Sequence, residues 1–176
     1  MCSSDLEKVL FPTDFSENSH KAFQSFLGFA EKSRYRVILY HSVMLPLPYG
    51  TGESVYISDH YFEEQAEWAK KKARPWLDEA REKGLTVEFI SRDGGAGFVT
   101  GASILKAAKE LGASIIAMAS TSGSLERVLF GSAAYDVFHS GALPVLLYGP
   151  SSLTGQSLRT NFRKRRASEK REDKTV

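Results

Sequence analysis

From Tyr35 to Val43 the chain reads YRVILYHSV, β-formers almost without a break. A strand with one face in water alternates apolar and polar residues, whereas a strand covered on both faces of a parallel sheet has no polar face to show. The run therefore predicts a central strand, and parallel neighbours need a long crossover between them. The rest of the chain supplies those crossovers. Lys8 to Pro12 (KVLFP), Tyr35 to Val43, Thr86 to Ser91 (TVEFIS), Ser114 to Ala119 and Pro144 to Tyr148 read as strands, with helical patterns between them. The order β, α, β, α, β, α, β, α, β predicts an α/β fold, an open parallel sheet with helices on both faces and right-handed crossovers.

The helical segments carry their own punctuation. After KVLFP, the stretch TDFSENS puts hydroxyl and carboxylate side chains where a helix begins, with Thr13, Asp14 and Ser16 as candidate caps. Ala22, Phe23, Phe26, Leu27, Phe29 and Ala30 then recur three and four apart, as on a helix with one face against a sheet. MLPLPYGTGESVYIS, after the second strand, has no clear period and reads as an extended loop of the kind kept for lids or binding edges. A long charged helix follows from about Asp59 to Lys83, in which Pro75 predicts a kink or a break. Its run Lys70, Lys71, Lys72 reads as a solvated face. Gly84 stops that helix, and Gly112 stops the next, which begins near Ala102 after the loop RDGGAGFVTG.

Length and composition bound the rest. At 176 residues and 42% hydrophobic content, one well-buried core is expected, and hence one domain. The single cysteine, Cys2, lies in the polar leader, remote from any partner, so disulfide and zinc-finger readings fail. MCSSDLEKVLFP passes from an acidic leader straight into a strand, and no apolar run approaches the roughly 20 residues that span a bilayer; a cytoplasmic protein without a membrane partner is expected. The net charge of +2 is uneven: beyond Gln156 eight basic residues face three acidic ones, so the tail carries +5 and the remainder −3. Nucleic-acid binding is thus not expected of the body, and the cluster RKRRASEK reads as part of a solvated, flexible tail over 151–176.

Chemistry concentrates between Ala113 and Tyr148. There a strand leads through Ser120, Thr121, Ser122, Gly123 and Ser124 to Gly131 and Ser132 at the start of a helix. Unpaired amides and the positive end of a helix dipole make such a junction an anion cradle, with phosphate the usual guest. Glycine and serine also fill ordinary βα loops, so composition alone leaves both readings open. Gly95, Gly97 and Gly101 spell GxGxxxG, but after the third strand and with no acidic residue on the following strand to meet a ribose, which argues against a dinucleotide enzyme. His20, His41, His60 and His139 show no ligand spacing, and no GxSxG elbow holds a nucleophilic serine. Asp14 stands at the carboxyl edge of the first strand, where open α/β sheets bind ligands, and serves equally well as a helix cap.

Taken in order, KVLFPTDFS, ILYHSV, WLDEAREKGLTVEF, ILKAAKELGASIIAMAS and FGSAAYDVFHSGALPVLLY resemble the universal stress protein (UspA-type) family over residues 8–148, outside the leader at 1–7 and the tail. The resemblance implies a five-stranded sheet in the order 3-2-1-4-5, Rossmann-like and related to the adenine nucleotide α-hydrolases. It also implies a homodimer joined through the last strand, Pro144, Val145, Leu146, Leu147 and Tyr148. Nucleotide-binding members share a G-x-x-G, nine residues, G-S/T loop. Here Gly131 and Ser132 match its end, while Ala119 and Ser122 fall at the two glycine positions one residue short, with Gly123 as a substitute after a shift. A Cβ at such turns is penalised at positive φ and takes space from the phosphate, which implies a variant, weakened site.

The implied nucleotide site comprises Pro12, Thr13, Asp14, Ser42, Ala119, Ser122, Gly123, Gly131 and Ser132, with Asp14 toward the adenosine, Ser42 beside the base and Gly131 with Ser132 at the phosphates. The implied function is a dimeric stress-response binding or signalling module for ATP or another adenine nucleotide, with Mg²⁺ if phosphates are present. No catalytic base or nucleophile is evident, and slow ATP hydrolysis would need only a metal and a positioned water. Two alternatives are a nucleotide-free dimeric scaffold and an adenylating enzyme of the related α/β group. The second would need an SGGxDS-type loop where this chain has TDFSEN.

Overall fold

The computed structural model describes residues 7–31, 35–45, 59–96, 101–120 and 132–149. The leader with Cys2, most of the loop after the second strand, the small-residue loop from Thr121 to Gly131 and the basic tail lie outside the described residues. Five strands and four helices alternate: β1 (Glu7–Pro12), α1 (Glu17–Ala30), β2 (Tyr35–Leu45), α2 (Asp59–Glu82), β3 (Thr86–Ala96), α3 (Gly101–Leu111), β4 (Ile115–Ala119), α4 (Ser132–Ser140) and β5 (Val145–Tyr148). All strand pairs are parallel, in the order β3-β2-β1-β4-β5. The strand order and the α/β class are those expected.

β1 occupies the middle, and its side chains divide the core in two. Val9 and Phe11 join Phe23, Phe26 and Trp76 beneath α1 and α2, while Leu10 joins Ile38, Ile104, Ile116 and Val137 beneath α3 and α4. Val9, Leu10 and Phe11 are wholly buried. Each such side chain contributes about 1.5–3 kcal/mol of apolar transfer, so three in succession anchor both layers. β2 is interior, one place off centre, because β1 takes the central position and β3 covers β2's other edge.

Three details differ from expectation, and a fourth selects among the candidates. β3 continues past Ser91 through Arg92, Asp93 and both glycines to Ala96, because the long β2 offers it partners: His41 opposes Ser91, Ser42 opposes Arg92 and Val43 opposes Asp93. Ladder pairing overrides the low strand propensity of RDGGA. Of the kink or break expected at Pro75 there is no break: α2 continues through it as one helix, with Ala69, Ala73, Trp76 and Ala80 buried along one stripe that holds the helix on the sheet. Phe29, expected on the buried face of α1, is exposed and stacks on Tyr35 instead. Ser16, of the three candidate caps, closes the N-terminus of α1, its Oγ accepting from Ser19 N.

The lysine run of α2 is exposed, with Lys70 paired to Glu67 and Lys72 over the Trp68 ring. Gly84 and Gly112 follow α2 and α3 with φ of +74° and +66°, the left-handed stop that glycine takes at least cost. Among the described residues no helix is long and apolar enough to cross a membrane.

Gly101, the last glycine of GxGxxxG, opens α3 where that helix meets α4. A Cβ there would overlap the Cβ of Asp136 and lie 2.8 Å from Val137 N, both in α4. Gly101→Ala is therefore expected to lower the unfolding free energy by about 1–3 kcal/mol through overpacking. Gly28→Ala, in α1 where nothing lies within 4 Å, is expected to raise it by about 0.5–1 kcal/mol. Urea denaturation midpoints of the two variants check both signs.

Candidate functional site

The order β3-β2-β1-β4-β5 sends the chain outward from β1 in one direction and then returns it to β1's other side. The loops leaving β1 and β4 therefore diverge, and a crevice opens at the carboxyl ends of the strands. A cavity of about 310 Å³ lies there. It has two kinds of wall. Tyr40, Ile104, Met118, Ala119, Ala133 and Ala134 give an apolar side, and Thr13, Asp14, Ser16, Asn18, Ser19 and Ser42 give polar groups.

The β1–α1 turn is tied down residue by residue. Thr13 N donates to Tyr40 O at 2.8 Å, which extends the β1–β2 ladder by one bond. Thr13 Oγ1 accepts from Phe15 N at 2.9 Å and lies 3.1 Å from Ser19 Oγ. His41 Nδ1 donates to the Thr13 carbonyl at 2.9 Å, which puts a proton on that nitrogen. Asp14 Oδ1 accepts from Ser16 N at 2.9 Å, the turn that aspartate makes with the backbone two residues on. Among the described residues nothing bonds the second oxygen of Asp14. That exposed carboxylate is thus held by one oxygen at the rim of the cavity with the other available.

Between Asp14 and Ser16 the chain takes an unusual conformation. Phe15 has φ of +58°, a left-handed region that costs a residue with a Cβ roughly 1–2 kcal/mol. Its ring explains how that cost is met. The Phe15 ring lies 4.9 Å from His41, 5.6 Å from Trp76, 5.7 Å from Trp68 and 6.1 Å from Phe89, with edge-on geometry toward both tryptophans. Such pairs contribute about 0.5–1.5 kcal/mol each beyond area burial. The ring points away from the cavity into the α2 side of the sheet, and the Asp14 carboxylate is left at the cavity.

Of the residues expected from the sequence, Pro12, Thr13, Asp14, Ser42 and Ala119 line this one cavity. Ser132 is the first residue of α4, whose next two residues, Ala133 and Ala134, form part of the wall. Ser122, Gly123 and Gly131 lie outside the described residues. Val145–Tyr148 form the edge strand β5, preceded by Pro144.

Sequence reasoning missed Asn18, Ser19, His41, Ile104 and Met118. Asn18 Nδ2 donates to the Ser120 carbonyl at 3.0 Å and ties α1 to the end of β4 across the crevice. The period-2 pattern of β2 and β4 could have supplied Tyr40 and Met118, but nothing in the sequence brings Ile104 to them. The other histidines sit elsewhere: His20 bonds Glu79 at 2.9 Å and stacks on Trp76, His60 pairs with Glu64, and His139 stacks on Tyr135. Among the described residues no group of three acidic, histidine or cysteine side chains is placed to hold a metal.

These features define an open, doubly wound α/β protein with its cavity at the switch point between β1 and β4. A family model described as the universal stress protein family matches residues 6–149, and the chain belongs to that family. Solved structures agree at the level of fold. A universal stress protein family member from Burkholderia pseudomallei is 18% identical, with a TM-score of 0.62 over 84% of this chain and 98% of that one. A universal stress protein in complex with cAMP is 20% identical, with a TM-score of 0.57 over 84% of this chain and all of that one, covered at 100%. The Archaeoglobus fulgidus universal stress protein in complex with dAMP is 20% identical, with a TM-score of 0.54 over 80% of this chain and 96% of that one. Among curated proteins none matches the chain.

The geometry around Phe15 yields a test of which force holds the turn. Phe15→Ala keeps a Cβ at positive φ and loses the ring, so stability is expected to fall by about 2–4 kcal/mol. Phe15→Gly loses the same ring but frees the backbone, and should be more stable than the alanine variant by about 1 kcal/mol. Thermal and urea unfolding of the pair measure the difference.

Proposed function

We propose that the cavity between β1 and β4 takes the nucleoside part of an adenine nucleotide, and that the chain works as a dimeric stress-response binding module of the cytoplasm. The carrying observation is the Asp14 carboxylate, fixed by Ser16 N through one oxygen at the rim of an open cavity. A carboxylate so held accepts hydrogen bonds from ribose hydroxyls without a further loss of side-chain freedom. The apolar wall of Ile104, Met118, Ala133 and Ala134 suits the faces of a heterocycle. The start of α4 at Ser132 supports phosphate beyond the nucleoside, since the first amides of a helix are unpaired and its dipole favours an anion. The cAMP and dAMP complexes of similar folds support an adenine ligand.

The phosphate half of this reading rests on Ser122, Gly123, Gly131 and Ser132, where two glycines of the family pattern are missing, so we propose a weakened grip on phosphate. Mg²⁺ enters only with a polyphosphate, and turnover is slow or nil, since no dedicated base lines the cavity among the described residues. A nucleotide-free scaffold would gain from side chains that fill the crevice, and a 310 Å³ cavity speaks against it. Titration with a fluorescent ATP analogue, with and without Mg²⁺, is expected to saturate below millimolar concentration. Asp14→Ala is expected to weaken binding about 10- to 100-fold, the loss of a charge-assisted hydrogen bond. Absence of saturation in the wild type at millimolar analogue would overturn the nucleotide reading.

The dimer has a separate basis in β5. Pro144 O and Tyr148 O accept from Ile116 N and Ser120 N, so residues 144, 146 and 148 turn their backbone groups toward β4. By the alternation of a strand, the amides and carbonyls of Val145 and Leu147 point outward along the sheet edge. Such an edge needs cover, and a second copy across a two-fold axis provides it with identical groups. Val145→Pro removes an outward donor and places a ring where the partner strand would lie, while sparing the bonds to β4. Light scattering after size exclusion is expected to show a dimer for the wild type and a monomer of retained helical content for this variant.

A further inference from the structure

The two most exposed large hydrophobic side chains among the described residues, Phe138 at 56% and Tyr135 at 52%, stand one turn apart on α4. The surroundings of that helix fix where they point. Ala134 and Val137 are buried against the sheet, in the cluster that Val145 and Leu147 of β5 join. Asp136 faces α3, where its Oδ2 accepts from Gly101 N at 3.4 Å. At about 100° per residue, this leaves Phe138 and Tyr135 on the flank turned away from α3, with Phe138 nearer the sheet and Tyr135 nearer solvent. α3 leads from β3 to β4 and α4 from β4 to β5, so α4 is the outer helix of its layer. Its far flank overhangs the edge of the sheet at β5.

We infer that this flank of α4 is the apolar half of an interface with a second copy of this chain, in which Phe138 and Tyr135 pack against their counterparts across a two-fold axis. This rests on the dimer reading above and adds to it the element that supplies the affinity. β5 is only four residues long. Its outward backbone bonds replace bonds to water at little net gain, while association must first offset the lost translational and rotational freedom of one copy. Apolar surface withdrawn from water supplies what the strand lacks, and aromatic side chains supply most of it per residue. A second copy fits because an axis perpendicular to the sheet, which pairs β5 with itself, keeps the helices of both copies on the same face, so that α4 meets α4. The other two exposed aromatics belong to the opposite layer: Phe29 of α1 stacks on Tyr35, and Trp68 of α2 packs beside Phe15 under Lys72.

Sedimentation equilibrium of the full-length chain measures the dimer dissociation constant of wild type, Phe138→Ala, Tyr135→Ala and Phe29→Ala. Phe138→Ala is expected to weaken the dimer about 10- to 100-fold, Tyr135→Ala about 3- to 10-fold and Phe29→Ala about 2-fold or less. Alanine favours a helix at exposed positions, so far-UV circular dichroism and thermal midpoints of the two α4 variants are expected to match those of wild type diluted to monomer. Calorimetric dilution at several temperatures is expected to give a negative heat-capacity change on association that shrinks in Phe138→Ala, a signature that backbone pairing alone lacks. Wild-type affinity in both α4 variants, with Val145→Pro still monomeric, would overturn the inference and leave a dimer held by the strand. Equal weakening by Phe29→Ala and Phe138→Ala would overturn it as unspecific. Lost helical signal in monomeric Phe138→Ala would overturn it by showing that the ring is held within its own protomer. A wild type that stays monomeric at every concentration would remove the dimer reading as well.

Discussion

Burial of β1 on both faces is the constraint on which the rest depends. Val9 and Phe11 commit one side of the strand to α1 and α2, and Leu10 commits the other to α3 and α4. No register shift by a single residue is tolerated, since it would exchange the two sets between layers of different shape. With β1 in the middle, β2 and β3 lie on one side and β4 and β5 on the other. The divergence of the loops above β1 and β4 follows from that order. The crevice is thus a by-product of how the core is divided, and its chemistry is added by whichever residues the two loops carry.

What the first loop carries is a turn whose strain and support are separable. Phe15 accepts a left-handed backbone, and four aromatic or histidine rings hold its side chain in place. His41 takes part twice, packing against Phe15 and donating to the carbonyl of Thr13. A local rule is broken and compensated by tertiary packing, which is common where a backbone must aim one side chain. Here the aimed group is Asp14.

The fold was largely legible because its signals are local and redundant. The β-former run of β2, the glycine stops after α2 and α3 and the strict alternation of elements each point to the same sheet. What escaped reading was decided at a distance. β3 outran its apolar segment because β2 was long enough to template it, and α2 continues as one helix past Pro75 with its buried stripe on either side. For the site, Pro12, Thr13, Asp14, Ser42 and Ala119 were expected from the family pattern, and all five line the cavity. Asn18, His41, Ile104 and Met118 were not found, because their meeting depends on topology. Phe15's positive φ has no signature in the sequence.

The absence of a Cβ at Gly101 reaches further than helix packing. It lets α3 lie so close to α4 that Ile104 on one helix and Ala133 and Ala134 on the other form a single surface. That surface cannot spread to admit a bulkier guest without prising apart two backbones already in contact. The crevice is a jaw with one rigid side, and any adjustment to ligand size falls to the opposite lip, where the β1–α1 turn is held by rings and hydrogen bonds that can be given up one at a time.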